Sequence, residues 1–428
     1  AESWEAIDTT TWAFELREGV TFHDGTALTP DAVAFTVERI VDEATESPIR
    51  GGFTFIESVE ITGDASFRIH TERPMPLAEH YFSELLIVPP HAFADEAAAD
   101  RFARNPIGTG PFRFESWQRD VQLRLSAFED HWRGAPAIDA LTFRPAPEAI
   151  TRVSALQAGE AQIVTQVPPS LAPVLEAASG VSLAAVDGAR AIYVGINSVA
   201  GHEALQDPRV RRALNLAVDV DAIIDGILDG RGTPTTTFLT EVDFGYDPAY
   251  SPFPYDPDAA RELLDEAGWA EGLSVTLQSP NGRYVGDAAV AQAVAEQLSA
   301  VGIDVNLEIR EYGAYVGDLF SGNAPDLYLI GWGNAPLDAD FILPSLLRTD
   351  ELLSYTSDPE LDALLDAGRS TVDRGERQEA YSDALALMSE RAHALFLYKP
   401  QDLYGVSDDV AWTPRTDERL WMFDAQPR

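Results

Sequence analysis

Three short segments carry side chains whose types and spacing could do chemistry. Asp338 and Asp340 flank Ala339. Two carboxylates so placed could share acid–base work or hold Ca²⁺, or they could be a solvated pair or a helix cap. Asn281-Gly282-Arg283-Tyr284 sets a guanidinium beside a phenol ring. A guanidinium can grip a carboxylate through two parallel hydrogen bonds; it could equally pair with one of many surface acids. Gly331-Trp332-Gly333-Asn334 offers an indole that could be a stacking wall or core. The 7 histidines (His23, His70, His80, His91, His131, His202 and His393) show no metal-ligand spacing, so no metal is expected. There is no phosphate-binding G-x-x-x-x-G-K-[ST] loop, no G-x-S-x-G elbow and no H-E-x-x-H helix.

The elements around these segments explain why they matter. Leu273 to Gln278 reads as a short apolar strand, Asp287 to Ala300 as a helix, and Ile303 to Ile309 as an alternating strand. Strand, helix, strand with short links is a βαβ unit, which predicts a parallel sheet. Asp326 to Trp332 reads as a further strand of it. Both the Arg283 and the Trp332 segments then leave strand C-termini, where open α/β sheets bind ligands. Asp207-Pro208, Asp256-Pro257 and Asp373 to Glu376 open further helices. The first third reads differently. Trp12, Phe14 and Leu16 alternate as on a strand, and Thr29-Pro30-Asp31 starts a helix. Strand pairs are expected at 53–61 with 66–71, and at 111–117 with 121–128.

Composition narrows the classes. Of 428 residues, 70 are acidic and 30 basic, for a net charge of −40. Such a surface repels nucleic-acid phosphates and anionic lipid. Hydrophobic residues make up 45%, enough to exclude a disordered chain. Lys399 is the only lysine; a GC-rich genome or a salty habitat would each produce that bias. Cysteine is absent, so there is no disulfide framework or thiol nucleophile. No run of 18 apolar residues exists.

Five segments, in order, resemble the family 5 extracellular solute-binding proteins, the receptors of peptide, glutathione and nickel ABC importers. Thr11 to Thr26 (TWAFELREGVTFHDGT) resembles their signature region. Asn105 to Phe112 resembles N-P-x-G-T-G-P-[FY], and Asp207 to Asn215 resembles D-x-R-V-R-x-A-[LI]-N. Asn281 to Ile303 resembles the N-x-R-Y segment with its helix and strand, and Trp412-Thr413-Pro414-Arg415 the closing W-x-P-R.

The resemblance implies an α/β fold, a two-lobe clamshell of the large peptide-binding type. Lobe I would be residues 1–193 with 396–428, and lobe II 194–395. The strands near Ile192-Tyr193-Val194 and Phe396-Leu397-Tyr398 would cross between them. Ala1-Glu2-Ser3-Trp4 falls where members read L-A-E-S-W, so a chain truncated ahead of this point is expected. The implied protein is an extracytoplasmic, monomeric, non-enzymatic receptor without cofactors. It would serve an ABC permease and its ATPase subunits, at the membrane through the importer or a lipid anchor. Its implied ligand residues are Arg283 for a carboxylate, Tyr284 and Trp332 for apolar parts, and Asn334, Asp338 and Asp340 for an amine or hydroxyl. Gly108, Thr109 and Gly110 would bring a tight backbone turn to the cleft. Peptide-binding members place an Asp where this chain has Ala335. The run from Asp338 looks more like the glutathione-binding branch, which implies a peptide-like or glutathione-like cargo. An oligosaccharide is the alternative within the family, and a hydrolase using Asp338 or Asp340 the alternative outside it.

Overall fold

The computed structural model describes residues 1–95 and 97–428. The first third builds an antiparallel four-stranded sheet, in the order Ser3–Ala6, Thr11–Glu15, Ser66–Thr71, Ile56–Ile61. Alternation turns Trp12 and Phe14 inward, where Phe14 stacks on Phe67 at 5.0 Å. The helix Pro30–Val41 covers this sheet with Val33, Val37 and Ile40. It starts at proline as expected, but the Thr29 hydroxyl makes no cap bond. A second antiparallel sheet joins Phe112–Gln118, Gln122–Ala127 and Ala140–Phe143.

The large sheet runs in the order Gly232–Pro234, Ala394–Ser407, Arg190–Ile196, Leu327–Gly333, Leu273–Pro280, Ile303–Arg310. The βαβ unit is present. Leu273–Pro280 pairs in parallel with both Ile303–Arg310 and Leu327–Gly333. Its helix, Asp287–Ala300, buries Val290, Val294 and Leu298, each worth roughly 1.5–3 kcal/mol. The three strands expected to run parallel do so, and the sheet as a whole is mixed. Arg190–Ile196 is antiparallel to both its neighbours. Arg190–Ile196 lies outside the βαβ unit, whose crossover helix sets the direction of its own strands only.

Ala394–Ser407 is one long strand. Its first half pairs with Arg190–Ile196 and its second with Val181–Asp187. The ribbon breaks step at Gly188-Ala189 and passes between two apolar cores. Tyr193 and Tyr398 belong to the large core, whereas Leu403 joins a separate one with Leu156 and Leu175. Gly195 leaves room for the Tyr328 ring, which a Cβ there would meet at 2.1 Å. A third core holds the N-terminal sheet, and Phe341 from the Ala339–Leu347 helix packs against it.

One buried ionic node sits behind the large sheet. Asp358 caps the helix Pro359–Arg369, pairs with Arg391 at 2.5 and 2.6 Å, and meets His393 Nε2 at 3.1 Å. The His393 bond, then Arg391, holds the Asp358 carboxyl well below its usual range, against the opposing effect of burial. A carboxyl depressed on folding stabilises above its unfolded pKa and loses that stability as pH falls through the folded value. Asp358→Asn keeps a capping oxygen but loses the charge. It is therefore expected to cost roughly 3 kcal/mol at pH 7. The gap from the parent should narrow below about pH 4, near the unfolded carboxyl value of 3.8. Urea midpoints of both proteins between pH 3 and 7, scanned together, measure this; a constant gap would contradict it.

Candidate functional site

The Arg283 segment is built by one buried carboxylate. Asp287 opens the helix after the Leu273–Pro280 strand and is 3% exposed. Its two oxygens accept from the backbone N–H groups of Gly282, Arg283, Tyr284 and Ala288, all at 2.9–3.0 Å. That collar fixes the loop at the strand's C-terminal end. Gly282 and Gly286 supply its left-handed backbone, at φ 82° and 70°. The Arg283 guanidinium lies over the rings of Tyr284 and Tyr312, at 5.0 and 5.5 Å. Among the described residues it makes no ion pair. A guanidinium held by rings, with its N–H fork uncommitted, can still receive a carboxylate.

Tyr284 is fixed against the neighbouring strand, its hydroxyl donating to the Gly331 carbonyl at 3.1 Å. Burial pushes its phenol pKa up, so it stays neutral. Beside it, Arg190 donates to the same carbonyl at 3.1 Å and to Glu418 Oε1 at 2.8 Å. Asp402 lies in the same region, with Oδ2 buried and without a partner among the described residues. Burial and then Glu418 push its carboxyl up to about 7, against Arg190.

Trp332 faces the other way. Register pairs Ile192 with Gly331 and Ala191 with Trp332. Directly opposed residues share a face, and successive ones alternate. A Cβ on Gly331 would meet Ile192, Tyr284 and Arg190. Arg283 and Tyr284 are thus brought together, while Trp332 occupies the opposite face of the same strand end.

Asn334, Asp338 and Asp340 form a buried network behind that end. The Asn334 amide donates to Asp243 Oδ1 at 2.7 Å and to the Asp338 carbonyl at 3.1 Å. Asp338 caps the helix Ala339–Leu347 and takes the Arg377 guanidinium at 2.5 Å. Asp340 accepts from the Tyr381 hydroxyl at 3.0 Å and faces Arg369 at 3.4 Å. The three are 1%, 7% and 4% exposed. The helix-cap possibility therefore describes Asp338, and neither carboxylate is solvated. Burial pushes the Asp340 carboxyl up, and pushes Asp243 up to about 6.

Gly108, Thr109 and Gly110 lie apart from these residues in the sequence and are held by His23. The Gly108 N–H donates to His23 Nδ1 at 3.2 Å, so Nε2 carries the proton and donates to the Gly110 carbonyl at 3.0 Å. Two sequence motifs thus meet as one structural unit.

Sequence reasoning missed Asp287 as the loop's organiser, and Arg190, Asp243 and Asp402 altogether. Only Asp287 left a signal, an acid at the first turn of a helix. Among the described residues, no three His, Asp or Glu side chains cluster to hold a metal, and no helix is long and apolar enough to cross a membrane.

The two-stranded ribbon thus touches two separate cores, and the Arg283 guanidinium sits at a strand end of the larger one. The chain belongs to the bacterial extracellular solute-binding proteins, family 5, whose middle-region model matches residues 1–352. It is 30% identical over 400 residues to the glutathione-binding protein GsiB of Pectobacterium atrosepticum, spanning 90% of this chain and 76% of that one. The ABC transporter substrate-binding protein CtaP of Listeria monocytogenes superposes with a TM-score of 0.89 at 26% identity, covering 100% of this chain and 90% of that one. The periplasmic binding protein DppA of Helicobacter pylori, in complex with the peptide STSA, superposes at 0.86 with 25% identity, over 100% and 88%. The protein is thus a solute-binding component of an ABC importer and not an enzyme. Proteins of this family work outside the cytoplasm. The oligosaccharide alternative finds no support among these relatives.

Proposed function

We propose that this protein captures a peptide-like solute of the glutathione type and hands it to an ABC permease. The observation that carries this reading is the Arg283 guanidinium, presented at a strand end with no carboxylate partner among the described residues. The likeness to glutathione-binding relatives supports it. In this reading Arg283 grips the cargo's carboxylate, and Tyr284 supplies an apolar wall. Trp332 covers the other side of the strand end. Gly108, Thr109 and Gly110 bring backbone polar groups to the cleft from the opposite lobe. Asn334, Asp338 and Asp340 shape the wall from behind. Lobe I is residues 1–193 with 396–428, lobe II is 194–395, and the ribbon at Tyr193 and Tyr398 is the hinge. Ligand that touches both lobes stabilises the closed form by its differential affinity. The protein acts as a monomer, close to the membrane through its importer or a lipid anchor.

Calorimetry with glutathione, dipeptides and cello-oligosaccharides tests the cargo. Saturable heat with glutathione, at a Kd of micromolar order or tighter, is expected. Heat from the sugar alone would end this reading.

A further inference from the structure

The face of the large sheet that carries Trp332 also carries the chain's only lysine. Register pairs Thr233 with Lys399, and Ile192 with Tyr398. By alternation Lys399, Ala191 and Trp332 project from one face, on three adjacent strands. At about 4.8 Å per strand, the Cα atoms of Lys399 and Trp332 stand about 10 Å apart, with only the Ala191 methyl between.

A cavity of about 60 Å³ opens beside Lys399, walled by the threonine-rich loop Thr235–Thr240, Tyr246 and Glu241. At roughly 10–15 Å³ per enclosed water, that is room for about four waters or a small functional group. The loop's hydroxyls are used with one exception. Thr235 donates to the Thr237 carbonyl, Thr237 accepts from the Leu239 N–H, and Thr240 donates to Asp243. The Thr236 hydroxyl, on a residue 4% exposed, has no partner among the described residues. The Trp332 indole N–H, on the same face, has none either. Lys399 carries three N–H bonds and commits one, to Glu241 at 2.5 Å. The Lys399 side chain is 12% exposed and that of Glu241 is 56% exposed. At this cavity, among the described residues, two Lys399 N–H bonds and the Thr236 O–H are thus uncommitted, and Glu241, the acid in its lining, is solvated and free to swing out. A surplus of buried donors calls for an acceptor-rich occupant.

We propose that this cavity is a second ligand subsite, which takes a small carboxylate on Lys399 and Thr236 and displaces Glu241. The subsite does not depend on the glutathione-type reading or on Arg283, which lies on the other face.

The test uses the full chain, with succinate and acetate as probes and inorganic phosphate and chloride as comparison arms. Calorimetry reads affinity, and tryptophan fluorescence of the parent against Trp332→Phe isolates the Trp332 signal from the other seven. Succinate is expected to bind saturably. Thr236→Val and Lys399→Gln should each weaken it at least tenfold. Thr236→Val replaces an unpartnered hydroxyl with a methyl of the same shape, so its thermal midpoint should not fall. It decides the matter even if Lys399→Gln fails to fold. Succinate that does not saturate, equal affinity in parent and Thr236→Val, or binding of phosphate alone would each overturn the assignment. Succinate binding in a protein that ignores glutathione would remove the cargo reading and support the subsite.

Discussion

Arg283→Gln is expected to weaken capture of the cargo about a hundredfold while leaving the fold intact. Truncating one partner of a desolvated charge pair costs roughly 2–5 kcal/mol, or about 30-fold to several thousandfold. The side chain contributes little to stability. Its internal contacts are the two ring faces at 5.0 and 5.5 Å, worth about 0.5–1 kcal/mol each where solvent reaches them. The loop itself is held through the Arg283 backbone N–H by Asp287, which the substitution does not touch. The thermal midpoint should therefore shift by only about 2–4 °C. Arg283→Lys should fall between, because an ammonium keeps the charge but loses the planar fork. Calorimetry with glutathione and thermal melts on the three proteins give the answer. Unchanged affinity in Arg283→Gln would remove the anchor, and a collapsed melting point would make the residue structural.

Periodicity revealed the elements because it is a local signal. The helix Asp287–Ala300 and the strands on either side of it lie within a residue or two of where alternation and end signals put them. The direction of Arg190–Ile196 was not legible, since its partners are far away in the chain. The site divided along the same line. Arg283 was readable because it follows a strand and precedes a helix, so position alone singles it out. The roles of Asp338 and Asp340 were not readable, because their partners come from a helix some 40 residues on. An acid pair in so acidic a chain looks solvated until those partners are seen. Asp402 gave no signal at all, since what isolates it is burial against Gly188, where a Cβ would come within 2.6 Å of its Oδ2. Lys399 stood out by composition alone, and only the register gave that singularity a place on the Trp332 face.

Asp338→Ala is expected to destabilise the protein by roughly 3–5 kcal/mol, the usual cost of leaving one member of a buried pair alone. The carboxylate does two jobs. It accepts the Asp340 N–H at 3.0 Å as the cap of the helix Ala339–Leu347, and it neutralises Arg377 at 2.5 Å. The side chains of Arg377 and Asp338 are 4% and 10% exposed, so water cannot replace the lost partner. Arg377 also donates to the Gly368 carbonyl at 3.2 Å and lies over the Phe244 ring at 4.6 Å, which keeps it from swinging out to solvent. Asp338→Asn separates the two jobs. Asn caps nearly as well as Asp, so the cap survives and the charge is lost. Asp338→Ala with Arg377→Met removes both charges, and should recover much of the loss because no unpaired ion remains. Urea denaturation of the parent, the single variants and the double variant measures this as a cycle. Equal stability of parent and Asp338→Ala would show that the pair carries no weight. Cargo affinity discriminates further. If Asp338 only shapes the wall, Asp338→Asn should bind within a few-fold of the parent under conditions where both are folded. A hundredfold loss there, with stability preserved, would return Asp338 to the ligand-contacting set and displace the structural role argued for it.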